Sequence, residues 1–494
     1  MFPYKTSIEF DRKGNQPLYL QLSNQIIQFI KNQQLPPNTR LPGSRTLAEQ
    51  LQVHRKTIVA CYEELILQGW VESIPKKGTF VHRNLPELDQ QKLHDEVLTD
   101  SKLTTGFSFY TNEILPQKPS ERNPDFMYVD DGISDGRLTP LDEIARTHRR
   151  ISAKKNVFQH LSYGTTFGNS YLREVLVDYL NSTRGLHITK DNILITRGSQ
   201  MGIWLSSQLL LQKDDIVVVG ATNYASADST FLHQMTQLQR VTVDENGIVT
   251  DEIETLCKQQ QIKAVYVTSH HHHPTTVTLS AERRIHLLNL AKHYNFAIIE
   301  DDYDYDFHYN HAPILPLASH DANGNVIYIG SVCKTVAPVF RIGYLIAPKV
   351  FVDEAARLRG FMDRQGDALL ELTFANFIKS GDLDRHIRKV LKVYKQRRDV
   401  FCDLLKTELG DFFEFEIPKG GMAVWAKLNA DYSWQHVSET AKKYKLAIGA
   451  WQRYDLANTG HNCIRIGFSA FNETEIRELV ERLKRTLYEV KQMI

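Results

Sequence analysis

Residues 296–307 read "FAIIEDDYDYDF", a short apolar run that ends in a cluster of carboxylates and phenols. The run has the length and composition of a strand. Asp301, Asp302, Tyr303 and Asp304 are therefore expected at or just past a strand's carboxyl end. Two readings stay open at this point: an acidic metal-binding loop over 301–306, or polar groups that face an organic ligand. What stands at the ends of the neighbouring strands decides between them.

Working outward, "NILIT", "DIVVVG", "IKAVYVT", "NVIYIG" and "IGYLIA" are further β-like runs, several of them separated by helical stretches such as "MGIWLSSQLLL" and "AERRIHLLNLAKHY". That alternation predicts an α/β domain with a mainly parallel sheet. In such sheets ligands collect at the carboxyl ends of the strands. After "NILIT", Gly198 and Ser199 open a helix, where free backbone N–H groups make a phosphate seat. Tyr224 follows "DIVVVG", four histidines follow "IKAVYVT", and Ser331 and Lys334 follow "NVIYIG"; Arg341 comes seven residues after Lys334. Singly these are ordinary surface features. Together they supply a phosphate seat, an aromatic face, a carboxylate, a phenol, an amine and an arginine, which is the set pyridoxal 5′-phosphate (PLP) needs. Its aldehyde forms a Schiff base (aldimine) with a lysine, its ring nitrogen needs a carboxylate, and its phosphate suits a helix N-terminus and an arginine fork.

The chain has 494 residues, enough for two or three domains. Its net charge of +1 gives no global attraction to a polyanion, so any nucleic-acid surface must be local. Five scattered cysteines without CxxC spacing speak for a reducing compartment and against a zinc ribbon or disulfide framework. No apolar run approaches 18 residues and no signal peptide is evident, so a soluble cytoplasmic protein without membrane contact is expected.

Residues 1–82 carry ten Lys/Arg against six Asp/Glu. Leu18, Leu22, Ile26 and Ile30 form one helical stripe. "LPPNTRLPG" breaks the chain, and Ser44, also a candidate DNA contact, is placed to cap a short helix over 45–51. After the turn "QVH" comes a longer helix, "RKTIVACYEELILQG", which Gly69 can end. "WVESIPKKGTFVH" then reads as a hairpin with a basic tip. This order predicts a winged helix-turn-helix whose His54, Arg55, Lys56 and Thr57 face a DNA major groove, with Lys76 and Lys77 of the wing on phosphates. Residues 84–125 are polar and irregular and read as a linker.

"LPGSRTLAEQLQVHRKTIVACYEELILQGWVESIPKKGTFV" resembles the DNA-binding module of GntR-family regulators, which implies a double-stranded DNA partner and assigns DNA contacts to Arg45, Arg55, Thr57 and Gly78. His54 departs from the small capping residue usual there. "SYGTTFGNSYLREVLVDYL", "ILITRGSQMG", "IIEDDYDYDF" and "VIYIGSVCKTVAPVFRIGYLIAP" resemble a fold-type I aminotransferase domain. The whole resembles MocR-type transcription regulators, with the winged helix over 1–83, the linker over 84–125 and an aminotransferase-like effector domain over 126–494. The resemblance implies Lys334 as the aldimine lysine, Asp301 as the partner of the pyridine nitrogen, and Tyr303 on the phenolic oxygen. It puts Tyr224 on the ring, and Gly198, Ser199, Ser331 and Arg341 on the phosphate. It also implies a homodimer in which Tyr163 reaches the phosphate across the interface. Cys333 replaces the usual serine before the lysine. Arg453 and Arg465 are the candidates for an effector's carboxylate. In the family's regulator of γ-aminobutyrate an arginine stands two residues past the stacking tyrosine; Ser226 stands there here, which argues against that effector.

The run "SHHHHPTT" over 269–276 aligns by Pro274 with the family's pocket loop, so His271 and His273 are expected to line the PLP site. Metal binding is the poorer reading, because adjacent histidines in an extended segment point to opposite sides and no Cys or His with ligand spacing joins them. The leading expectation is a PLP-dependent transcription regulator that senses PLP or a small amino compound through Lys334. The alternative is an active aminotransferase whose N-terminal module is incidental.

Overall fold

The computed structural model describes residues 2–85, 105–111, 114, 122–309, 314–332, 334–449, 451–456 and 459–493. Cys333 and most of the expected linker lie outside the described residues. The chain divides into two compact units, Met1–Thr111 and Asn112–Ile494.

The first unit is built on helices α1 (Leu18–Lys31), α2 (Ser44–Leu51) and α3 (Arg55–Leu67), followed by strands β1 (Val71–Ile74) and β2 (Gly78–Val81). The apolar stripe of α1 turns inward: Leu22, Ile26 and Ile30 pack with Leu47 and Leu51 of α2, Ile58 and Leu65 of α3, and Val71 and Val81 of the hairpin. Full burial of each such side chain stabilises by about 1.5–3 kcal/mol before the entropy of ordering it is counted.

The helix boundaries differ from the expectation in two places. Helix α2 begins one residue earlier, with Gly43 at its N-cap and no side-chain cap bond. Ser44 is therefore not a cap; its hydroxyl is instead within 3.3 Å of Arg55 Nε, which donates to it. His54, too large to resemble the usual cap, performs that role all the same: its Nδ1 accepts from the Lys56 backbone N–H at 3.1 Å. Gly69, at φ +78°, takes the chain out of α3. The wing pairs Val71 with Val81 and Ile74 with Gly78. Gly78 adopts φ +121°, and a Cβ there would lie 3.2 Å from Arg40 Nε, so the wing turn requires glycine.

The second unit opens with β3 (Met127–Val129) and holds a seven-stranded sheet of β4 (Ile193–Thr196), β5 (Ile216–Gly220), β6 (Gln237–Val241), β7 (Ala264–Val267), β8 (Ala297–Asp302), β9 (Val326–Ser331) and β10 (Gly343–Ile346). Their order across the sheet is β4-β10-β9-β8-β7-β5-β6. Only β10 runs antiparallel, against both neighbours. Strands β7 and β9 inside the sheet, and β4 at one edge, are buried on both faces, which is why they read as unbroken apolar runs. Edge strand β6, "QLQRV", is half-exposed and polar and gave no such signal. Beyond the sheet, β11 (Phe413–Phe415), β12 (Ala423–Leu428) and β14 (Cys463–Gly467) form a small antiparallel sheet, while β13 (Leu446–Ile448) pairs with β3. Helices Asp382–Leu409 and Glu473–Met493 share the core behind it through Phe401, Leu405, Leu479 and Leu483. No helix among the described residues is long and apolar enough to cross a membrane.

Loss of an N-cap costs about 0.5–2 kcal/mol. His54→Ala should destabilise the first unit by that amount in chemical denaturation, whereas His54→Asn should hold it; equal losses in both variants would deny the imidazole a capping role.

Candidate functional site

Strand register builds the site. Ile299 of β8 lies opposite Tyr266 of β7, and Asp301, two residues on, points to the same face. The Tyr266 hydroxyl accordingly donates to Asp301 Oδ2 at 2.9 Å. Asp301 Oδ1 is buried and has no hydrogen-bond partner. Burial pushes this carboxyl up from 3.8 to about 7, with the bond from Tyr266 opposing the rise. Asp302 points to the opposite face, where the Tyr328 hydroxyl donates to it and His270 Nδ1 lies 3.1 Å away. Burial opposes charge on His270, but Asp302 outweighs it and raises the imidazole above its ordinary value. Past the strand, Asp304 takes His271 Nδ1 at 2.9 Å. Asp306 takes Arg184 at 2.8 Å and the Thr335 hydroxyl at 3.2 Å.

The acidic run is thus divided among separate protein partners, and the histidine run divides with it. All four imidazoles are buried. His272 Nε2 lies 2.9 Å from the Thr222 carbonyl. His273 stands edge-on to Tyr224, ring centroids 5.2 Å apart, with its Nε2 3.5 Å from Asp131 Oδ2. Burial lowers the His273 imidazole to about 4, so it is neutral at pH 7. The structure corrects the expectation for His271. Its ring is held by Asp304 and lies beneath Gly420, where a Cβ would come into collision with Nε2. His271 offers the pocket its carbonyl, which accepts from the Tyr303 hydroxyl at 2.9 Å. Of the two histidines expected to line the site, His273 faces Tyr224 and His271 does not.

Lys334 is half-buried. Its Nζ lies 5.5 Å from the Tyr303 ring centroid and donates to the Gly132 carbonyl at 2.8 Å. The loop after β4 and the start of β10 come together as an anion seat. Gly198, at φ +77°, is the N-cap of helix α4 (Ser199–Leu210). A Cβ on Gly198 would sit 2.8 Å from Arg341 Nη2, so the guanidinium lies directly over the helix entrance. Arg341 also donates to the Arg197 carbonyl at 2.7 Å. Ser331, at the end of β9, donates to the Ile342 carbonyl at 3.3 Å beside this seat. Tyr163 is exposed and stacks with Arg364, 4.1 Å from guanidinium carbon to ring centroid.

Both C-terminal arginines reach one segment. The carbonyls of Asp130, Asp131 and Gly132 accept in succession from Gly467 N–H at 2.7 Å, Arg465 Nε at 2.7 Å and Lys334 Nζ at 2.8 Å. Arg465 is buried, and its Nη2 has no hydrogen-bond partner. Arg453 donates to the Tyr454 hydroxyl at 2.7 Å and lies 3.4 Å from Asp131 Oδ2. Burial alone would raise the Asp131 carboxyl, but His273, Lys334 and Arg453 hold it well below the usual range. Asp131, Tyr266 and Tyr454 are pocket residues the sequence reading missed. Only Tyr266 left a signal there, as the one hydroxyl within an otherwise apolar strand.

In the first unit, Arg45 is exposed at the start of α2, His54, Arg55 and Lys56 are exposed around the start of α3, Thr57 is half-buried there, and Lys76, Lys77 and Gly78 are exposed on the wing.

Residues 132–483 match the family described as aminotransferase class I and II, and residues 18–81 match the bacterial regulatory proteins of the gntR family. The chain is 27% identical to "Uncharacterized HTH-type transcriptional regulator YdfD" of Bacillus subtilis, over 97% of this chain and 96% of that protein. It is 25% identical to "Probable rhizopine catabolism regulatory protein MocR" of Rhizobium meliloti, over 84% of this chain and 83% of that one. Among solved structures, Pyrococcus horikoshii kynurenine aminotransferase superposes with a TM-score of 0.71 at 28% identity, covering 77% of this chain and 97% of that one.

Breaking a buried pair on one side leaves a charge uncompensated, at a cost of about 3 kcal/mol. His270→Ala should lower the unfolding free energy by roughly that amount; a loss under about 1 kcal/mol would show that Asp302 does not depend on it. A carboxyl whose folded value is raised favours the folded state at low pH and loses that contribution as pH climbs from about 4 to about 7. The thermal midpoint of ligand-free Asp301→Asn should therefore fall less between pH 5 and pH 8, about those limits, than that of the parent protein. Parallel pH profiles would contradict a raised Asp301.

Proposed function

Because the chain belongs to the class I and II aminotransferase family and carries a gntR-family regulatory domain at residues 18–81, we propose that it is a MocR-type transcription regulator that binds double-stranded DNA and senses PLP or a small amino compound. The observation that carries this reading is that the similarity to a transcriptional regulator runs through both units, over 97% of this chain and 96% of the relative.

The pocket suits PLP on three grounds. Asp301 Oδ1 is a buried acceptor without a donor, which a protonated ring nitrogen would satisfy. The Gly198 turn brings a helix N-terminus and the Arg341 guanidinium together, the two groups that suit a phosphate. The Lys334 amine stands half-buried beside Tyr303. Bound there, PLP supplies an aldehyde that condenses reversibly with a primary amine, and a ring that withdraws electrons. Lys334 would hold the aldehyde carbon, Asp301 the ring nitrogen and Tyr303 the phenolic oxygen. Tyr224 and His273 would flank the ring, and Gly198, Ser199, Ser331 and Arg341 would hold the phosphate. Tyr163, exposed in the single chain, would act from a partner subunit in a homodimer. Arg465 and Arg453 would meet an effector's carboxylate.

On DNA, the exposed start of α3 would enter the major groove with Arg55, Lys56 and Thr57, Arg45 would reach from α2, and Lys76, Lys77 and Gly78 would follow the backbone with the wing. A ligand alters this binding only if it favours one arrangement of the protein over another.

Footprinting on the DNA upstream of its own gene, with and without PLP, tests the reading. The parent protein should protect that DNA. Arg45→Ala should weaken binding about tenfold and lower the salt slope by about one. Lys334→Ala should abolish the visible absorption band of protein-bound PLP. Steady-state transamination without any footprint would favour the aminotransferase alternative.

A further inference from the structure

The segment from Gly220 to Tyr224 carries the aromatic face of the candidate site, and each residue before Tyr224 is tied to a neighbouring element. Arg240 of β6 donates to the Gly220 carbonyl at 3.2 Å. The Ala221 N–H donates to the Val241 carbonyl at 2.7 Å. The Asn223 amide donates to Asp228 at 2.6 Å, and Asp228 accepts from Arg240 at 2.6 Å as well. These ties are local in sequence. The remaining one comes from the histidine loop after β7, where His272 Nε2 lies 2.9 Å from the Thr222 carbonyl. A carbonyl only accepts, so Nε2 carries the proton. Burial lowers this imidazole to about 4, which keeps it neutral at pH 7, and its Nδ1 faces the Thr268 hydroxyl at 3.5 Å. The backbone of His272 is fixed too. Its N–H donates to the Val277 carbonyl and its carbonyl accepts from the Thr276 N–H, both at 2.7 Å. Gly220 makes room for the ring, since a Cβ there would lie 3.1 Å from His272 Cε1.

We propose that His272 is a positioning residue for the cofactor: its Nε2–H, held on the Thr222 carbonyl, fixes where the Tyr224 ring stands in the site. This rests on the reading that PLP binds beside Lys334 with Tyr224 on its ring. Tyr224 is the N-cap of the helix Ala225–His233, so its ring leaves the chain where the loop meets the helix. Asp228 anchors the helix side of the loop and β6 the strand side. His272 holds the middle. Its own loop also gives the His271 carbonyl to Tyr303 and the His273 ring to Tyr224. One imidazole thus joins the residue proposed for the cofactor's face to the loop that holds the residue proposed for its phenolic oxygen. A binding group kept in place by such a supporting contact loses affinity through disorder when the support is removed, although its own contacts remain available.

The test titrates the full-length protein with PLP and follows the visible absorption band and its circular dichroism, with the thermal midpoint taken before PLP is added. Three variants separate donor from reach. In His272→Gln the amide N–H stands at about the reach of Nε2, in His272→Asn it falls one methylene short, and His272→Met fills the space without a donor. The Asn and Met variants should bind PLP about tenfold more weakly, the worth of one hydrogen bond, and show weaker dichroism per bound cofactor. His272→Gln should stay within about twofold of the parent protein and keep its dichroism. Dichroism per bound cofactor reports the setting of the ring, which a change in fold stability alone does not move. Parental affinity and dichroism in His272→Asn overturn the proposal. So does parental dichroism in every variant that binds more weakly, which leaves His272 a structural residue only. If His272→Asn does not fold, His272→Met set against His272→Gln makes the same comparison. If the parent protein forms no band with PLP at all, the cofactor reading fails and the proposal falls with it.

Discussion

Two neighbouring parallel strands, β7 and β8, end side by side and release a run of four histidines and a run of four aspartates that satisfy one another and their surroundings. This matching is the constraint on which the site depends. Buried charges are tolerated only when paired. His270 answers Asp302, His271 answers Asp304, Arg184 answers Asp306, and Tyr266 answers half of Asp301. The pairing is incomplete: Asp301 Oδ1, Asp304 Oδ2, His271 Nε2 and both ring nitrogens of His273 are buried without a hydrogen-bond partner.

Much of this was legible as sequence. The strands that carry the site are buried on both faces, and their unbroken apolar runs marked where each would end. The residues at or just past those ends supplied the candidates on which the proposed site rests: Gly198, Tyr224, Asp301, Tyr303, Ser331 and Lys334. The direction in which an irregular loop sends its side chains was not legible, because the period of two that orders a strand stops at the strand's end. Hence His271 was expected in the pocket, whereas its ring is spent on Asp304 and only its carbonyl meets Tyr303. Ser44 was likewise misplaced by one residue, within the uncertainty of any helix start read from a capping pattern.

Asp131 escaped for a different reason. Nothing local distinguishes it, since "VDDGISD" reads as an ordinary polar turn. Its importance comes from residues more than 140 positions away: His273, Lys334, Arg453 and the Arg465 guanidinium that grips its carbonyl across 334 residues of sequence. Edge strand β6 and the small sheet of β11, β12 and β14 are similar cases. Their identity depends on what packs against them, and local composition carries little of that.

The clamp on residues 130–132 also sets an order in time. The winged-helix unit is complete within the first 111 residues, and its core is made of near neighbours in sequence. The pocket closes only when Arg465 and Gly467 have arrived to hold Asp131 and Asp130. A chain made from its N-terminus folds its early domains first. On the ribosome the helix-turn-helix is therefore finished long before the ligand site exists, and a chain broken off late in synthesis keeps the first without the second. In the proposed reading, the segment that begins at Arg465 is what makes the molecule answerable to a small molecule.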